Sequence, residues 1–180
     1  PAAQTRDKSA VKPEQMKILC DELREEFDYA IIDCPAGIEQ GFNNALAGAD
    51  KAIVITTPEV SAVRDADRVI GLLESKELHD PKLLINRLRV DMVKRGEMLS
   101  IEDVRDVLAV DLIGIVPDDE RIVVSTNKGE PIVTDEKSLA GKAYRNIAQR
   151  LDGEEVPFLK LEEDEGFMFK IRKLLGLKTT

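Results

Sequence analysis

Four short apolar runs recur along the chain, spaced roughly as in repeated βαβ units of about thirty residues: Tyr29 to Asp33 (YAIID), Lys51 to Thr56 (KAIVIT), Lys82 to Asn86 (KLLIN) and Leu112 to Val116 (LIGIV). Near-continuous apolar runs, as opposed to alternating ones, are the mark of parallel strands covered on both faces. Between them the apolar residues fall at helical spacing. This predicts helices over Pro13 to Phe27, Val60 to Glu77, Ser100 to Leu108 and Ser138 to Leu151. Pro13 suits a first helical position, and Ser100 with Asp103 forms a plausible capping pair. The expected fold is α/β: a doubly wound, mainly parallel sheet with helices on both faces, occupying residues 1–153.

After residue 153 the pattern changes. Residues 154–165 form an acidic tether interrupted by Pro157, and residues 166–180 form a basic amphipathic segment. On a helical projection Phe167, Met168, Ile171, Leu174 and Leu175 fall within an arc of about 120°, with Lys170, Arg172 and Lys173 outside it. Phe169 and Leu177 fall off that face. The segment is too short to span a bilayer and has the makings of an interfacial helix, in which each basic residue near an anionic surface adds about 1 kcal/mol. Docking of the same helix on its own domain is the competing reading.

Charge sharpens the division. The chain carries −9 overall, while residues 166–180 carry +4 from Lys170, Arg172, Lys173 and Lys178, leaving −13 on the rest. With that acidity, 4% aromatic residues and no Trp, neither phosphate-backbone binding nor base stacking is expected, and no nucleic-acid partner is predicted. Cys20 and Cys34, without a secretory signal, fit a reducing compartment.

The chemistry-bearing positions lie at the ends of the predicted strands, where the ligand crevice of an open α/β sheet forms. Asp33 ends the first run and the chain turns at once through Pro35 and Gly37. Asp33 is placed to order a magnesium shell through water, or else simply to cap the next helix. The Gly37 amide can approach a terminal phosphate, making residues 36–41 a nucleotide-sensitive switch. Asn86 suits the edge of an adenine because its carboxamide donates and accepts, and Pro117 and Asp118 flank the same position; ordinary loop-forming roles remain open for all three. Cys34 lacks a nearby base and reads as a small filler.

The phosphate loop G-x-x-x-x-G-K-[ST] is absent: at the only Gly-Lys pair, Gly141-Lys142, Glu136 stands for the first glycine and Ala143 for the hydroxyl residue. The chain opens Pro1-Ala2-Ala3 without Met and with no strand before its first helix, so it is expected to begin within a fold, although removal of an initiator Met before Pro explains residue 1 equally well.

An ordered set of motifs resembles one family. Asp33-Cys34-Pro35-Ala36-Gly37-Ile38-Glu39, the stretch Thr57-Pro58-Glu59-Val60-Ser61-Ala62-Val63-Arg64-Asp65-Ala66-Asp67-Arg68, then Gly96-Glu97-Met98-Leu99-Ser100 and Asn127-Lys128-Gly129-Glu130-Pro131 together resemble the MinD septum site-determining ATPases of the deviant Walker group, with a P-loop NTPase-like fold. In that family the phosphate loop lies near the N-terminus, so the resemblance covers the C-terminal two-thirds. It implies ATP/ADP and Mg2+ as cofactors, in-line attack by water, a homodimer in the ATP-bound state, recruitment of a MinC-like division inhibitor, release through a MinE-like activator, and a cytoplasmic protein peripheral on the inner face of the cell membrane or its plastid equivalent. It assigns Asp33 to the magnesium site, Gly37 to the switch, and Asn86, Pro117 and Asp118 to adenine. Ser61, Asp65 and Asp67 match the partner-binding helix surface, which read by itself is an ordinary solvated helix face. With the signature lysines unmatched, these 180 residues alone are not expected to hydrolyse ATP. A related partition or flagellar-placement ATPase, and a non-enzymatic membrane adaptor, are the alternatives.

Overall fold

A computed structural model describes residues 11–35 and 37–161. Its elements run α1 (Pro13–Glu26), α2 (Gln40–Gly48), β1 (Ile53–Thr56), α3 (Val60–Ser75), β2 (Lys82–Leu88), α4 (Val90–Lys94), α5 (Ile101–Leu108), β3 (Leu112–Pro117), α6 (Arg121–Lys128), a 3-10 turn (Ile132–Thr134) and α7 (Leu139–Leu151). The three strands form one parallel sheet in the order β1-β2-β3.

Strand β2 has a neighbour on each edge and a helix layer on each face. Leu83 and Ile85, both fully buried, point into a core built with Val63, Ala66, Ile70 and Leu73 of α3, Val104 and Leu108 of α5, and Phe42 of α2. The residue between them, Leu84, points the opposite way and packs with Ile113, Val116 and the Ala140, Ala143 and Ile147 stripe of α7. The period of two along a strand thus divides one apolar run between two cores. At the sheet's second face α7 comes so close to β3 that a Cβ on Gly114 would run into Ile147.

Helix boundaries follow local chemistry. Ser100 accepts from the Asp103 amide at 3.0 Å while the Asp103 carboxylate accepts from the Ser100 amide at 2.9 Å, the reciprocal pair read from sequence. Ser138 caps α7 by accepting from the Gly141 amide at 2.9 Å. Helix α2, the short α4 and α6 are not predicted from the sequence: none has the side-chain cap that marks the start of α5, a helix of similar length.

One expected strand is not a strand. Tyr29 to Asp33 belong to no ladder, and Ile31 is 95% exposed where a buried parallel strand was predicted. The reason is that a ladder is a property of pairs, and none of the described strands lies against this segment. Its visible tie is the Tyr29 hydroxyl, which donates to Asp152 at 2.8 Å. Strand β1 is likewise half covered, with Val54 and Thr56 buried but Ile53 and Ile55 exposed on the alternate side.

These two classes of apolar residue should respond differently to truncation. Leu83→Ala is expected to cost about 2–5 kcal/mol in urea denaturation, and Ile55→Ala less than about 1 kcal/mol. Comparable losses at both positions would contradict the assignment of β2 as the doubly covered strand.

Candidate functional site

The carboxyl ends of β2 and β3 meet at an irregular corner. Between the pairs Ile85–Ile115 and Leu88–Pro117, β2 takes three steps while β3 takes two, so β2 carries one residue more than its partner at Asn86-Arg87. Leu88 then rejoins the ladder, and its carbonyl accepts from the Asp118 amide at 3.0 Å. The bulge thereby sets Asn86-Arg87 beside the Pro117-Asp118 end of β3.

Arg87 holds this corner, although nothing in the sequence pattern singled it out. Its backbone has φ 57°, in the left-handed region that costs a non-glycine residue on the order of 1 kcal/mol. The Asn86 Oδ1 accepts from the Arg87 amide at 3.0 Å, and the Arg87 guanidinium pairs with Asp118 at 3.6 Å. Because the oxygen must face that N–H, Asn86 has its carboxamide nitrogen uncommitted among the described residues, leaving two donors for a ligand edge.

Asp119 is the second residue the sequence reading passed over. Its carboxylate accepts from the Ser138 hydroxyl at 2.6 Å and from the Arg121 amide at 2.9 Å, tying the loop after β3 to the cap of α7. Burial pushes this carboxyl up, but hydrogen bonds from Ser138 and from the Arg121 and Ala140 amides outweigh it and hold the group below the ordinary carboxylate range. The readable trace of Asp119 was the bond to the amide two residues on, the local geometry that makes Asp a turn former.

Asp33 and Gly37 lie on the chain leading into α2. Asp33 is exposed and makes no hydrogen bond or ion pair with another described residue, so its carboxylate is available to water-mediated contacts. Gly37 has φ 99°, a conformation only glycine adopts without strain, and nothing stands within 4 Å of where a Cβ would be. That open approach suits a backbone amide meeting an oxyanion. No group of three or more His, Cys, Asp or Glu able to hold a metal is found among the described residues. A cation served by Asp33 through water, with its other oxygens from a nucleotide, fits this arrangement; a cage of protein carboxylates does not. At Cys34, burial and then the charge of Asp33 push the thiol pKa up, the opposite of a nucleophile's requirement.

Ser61, Asp65 and Asp67 are exposed on α3, on an arc of about 160° that includes Arg64 and Arg68. Arg68 pairs with Asp65 at 3.7 Å. This arc is opposite the buried stripe of Val63, Ala66 and Ile70. The basic segment with Phe167, Met168, Lys170, Ile171, Arg172, Lys173, Leu174 and Leu175 lies outside the described residues, as does Ala36 of the switch. No helix among the described residues is long and apolar enough to cross a membrane.

No family model matches the chain. It is 55% identical over 181 residues to the septum site-determining protein MinD of Bacillus subtilis, a match covering 99% of this chain and 68% of that protein. A MinC:MinD cell division protein complex of Aquifex aeolicus contains a chain that superposes with a TM-score of 0.81 at 47% identity, covering 86% of this chain and 64% of that one. The septum site-determining protein MinD of Pyrococcus horikoshii, solved complexed with Mg-ADP, superposes with a TM-score of 0.68 at 27% identity over 78% of this chain and 56% of that one. The chain spans 60% to 68% of the length of the first curated relatives it matches.

The depressed Asp119 makes an acid-dependent prediction. A carboxyl held below its unfolded value contributes fully above the ordinary Asp pKa of about 3.9 and loses that contribution as pH falls through the folded value. Asp119→Asn should therefore cost about 1–2 kcal/mol at pH 7 in urea denaturation, with the gap to the parent chain closing toward pH 3. A gap that stays constant with pH would show that the charge of Asp119 does not matter.

Proposed function

Since the chain belongs to the MinD family of septum site-determining proteins, we propose that it forms the base-binding, switch and membrane-contact portion of an ATP-dependent molecular switch that positions the division septum. The observation that carries this reading is the corner at the carboxyl ends of β2 and β3, where a bulge, a left-handed Arg87 and the Leu88–Asp118 bond gather Asn86, Pro117 and Asp118 at the place an α/β sheet binds its ligand. Asn86 donates to the edge of adenine, and Pro117 and Asp118 wall the base. Gly37 offers its amide to the terminal phosphate, and Asp33 orders water around Mg2+. The relative solved with Mg-ADP supports this cofactor pair.

Hydrolysis requires donors to the transferring phosphate in addition to these residues, and the sequence contains no phosphate-loop motif. The 180 residues by themselves are therefore expected to turn over no ATP. In the complete switch, ATP pairs two copies, and the exposed arc of α3 with Ser61, Asp65 and Asp67 receives a MinC-like inhibitor and a MinE-like activator; the solved MinC:MinD complex of a relative supports the first of these. Pairing places two basic amphipathic segments on an anionic membrane surface at once. Weak single attachments of a few basic and apolar residues then become firm through effective concentration, and hydrolysis releases them. The protein is accordingly cytoplasmic and peripheral on the membrane's inner face.

Titration with a fluorescent ATP analogue in Mg2+ tests the nucleotide site. The chain alone should bind weakly; with the phosphate-loop segment of a relative fused to it, affinity should rise, and Asn86→Ala should then reduce it by about tenfold. Absence of any gain from the added segment would sink the ATPase reading. Sedimentation with phosphatidylglycerol vesicles should be lost when residues 166–180 are deleted, and binding that survives the deletion would remove the membrane role from that segment.

A further inference from the structure

At the opposite end of the sheet, an arginine binds the chain that leads to the basic segment. Helix α7 ends at Leu151, Gly153 turns with φ 91°, and residues 154–161 pass the start of β3. Arg150, in the last turn of α7, donates from Nε to the Val156 carbonyl at 2.7 Å, from Nη2 to the Pro157 carbonyl at 2.9 Å and from Nη1 to the Ile113 carbonyl at 2.9 Å. Its guanidinium also lies 4.3 Å from the centre of the Phe158 ring. Leu159, one residue on, packs against the core beneath α7.

Each of these contacts uses a property specific to arginine. A planar fork donates from three separate nitrogens to three carbonyls and still offers a flat face to a ring; an ammonium, whose donors share one nitrogen, does not span all of them at once. Ile113 is the residue that β3 carries in excess between the pairs Leu83–Leu112 and Leu84–Gly114, so the strand irregularity and the arginine meet at the same backbone group. No described carboxylate pairs with Arg150, and burial draws its pKa below the ordinary guanidinium value. Asp111, the acid lining the neighbouring cleft of about 350 Å³, is taken by Lys82 at 2.7 Å. The arginine is therefore committed to backbone and ring.

We propose that Arg150 is a strap anchor that fixes residues 156–158 to the starting end of β3 and so sets the point at which the C-terminal segment leaves the body, at the end of the sheet away from Asn86, Pro117 and Asp118. Ile113 and Asp118 are five residues apart along β3, about 16 Å of strand. The four residues after Leu161 reach the basic segment within about 17 Å of extended chain. The acidic stretch is thus not free over its whole length: residues 156–159 are held against the body. The use of this anchor rests on the membrane reading of residues 166–180, but the anchor itself is tested without a membrane.

Limited trypsin digestion of the full chain, with the fragments read by mass spectrometry, tests the strap directly. Arg150→Gln should speed cleavage after Lys160 by about tenfold or more, while cleavage after Lys82 at the start of β2 and after Lys142 in α7 keeps its rate. Arg150→Lys should resemble Arg150→Gln, because one ammonium nitrogen does not span all three carbonyls. Phe158→Ala, at a half-exposed position whose loss does not threaten the fold, should speed the same cleavage. An unchanged rate after Lys160 in Arg150→Gln and Phe158→Ala, or an acceleration spread equally to Lys82 and Lys142, would overturn the strap. Vesicle binding that fails while the strap holds would instead count against the membrane reading alone.

Discussion

The burial of β2 on both faces is the constraint from which the remaining arrangement follows. Leu83, Leu84 and Ile85 are consecutive and all buried, which a strand achieves only when helices cover both sides of the sheet. Helices α2, α3 and α5 therefore occupy one face and α7 the other, each contributing an apolar stripe at helical spacing. Parallel pairing then requires every strand to be entered from the same end. As a result the loops after β1, β2 and β3 emerge side by side, and the polar residues that terminate the strands are gathered without any attraction among themselves.

The gathering is completed by departures from regularity. An ideal ladder would carry Asn86 and Arg87 past Asp118 in register; one extra residue in β2 pushes them out and returns Leu88 to the sheet beside Pro117. The left-handed Arg87 is the strained element, and the Asn86 and Asp118 side chains hold it there. Such strain persists only where the surroundings over-determine it, and here the surroundings are the ladder on one side and the Asp119–Ser138 tie to α7 on the other. The second irregularity of the same strand pair, at Ile113, lies at the other end and presents its carbonyl to Arg150. The two bulges thus lie at the two ends of the β2–β3 pair: one shapes the corner at Asn86-Arg87, the other presents a carbonyl to Arg150.

The proposed function gives these two ends a common purpose. A nucleotide switch at one end of a sheet and a membrane contact leaving from the other, as proposed above, would be coupled through dimerisation with no conformational signal crossing the sheet, because pairing would change the number of tails attached and not the shape of the path between them. The rigid body would then have only to hold the two ends apart, and the doubly covered β2 and the proposed arginine strap would both serve that.

Asn86, read as ending its strand, lies inside β2, which continues to Leu88; the sequence by itself determined the α/β class and, to within about two residues, four of the helices and three of the four strands. These are set by local periodicity and by caps such as Ser100 with Asp103. Tertiary structure decided the rest. Tyr29 to Asp33 has the composition of a buried strand and joins no ladder, because pairing needs a neighbour that composition cannot supply. Arg87 and Asp119 were hard to read for the complementary reason: their roles come from partners 31 and 19 residues away in Asp118 and Ser138, and the one local trace, the Asp119 bond to the Arg121 amide, marks a turn and not the tie to α7.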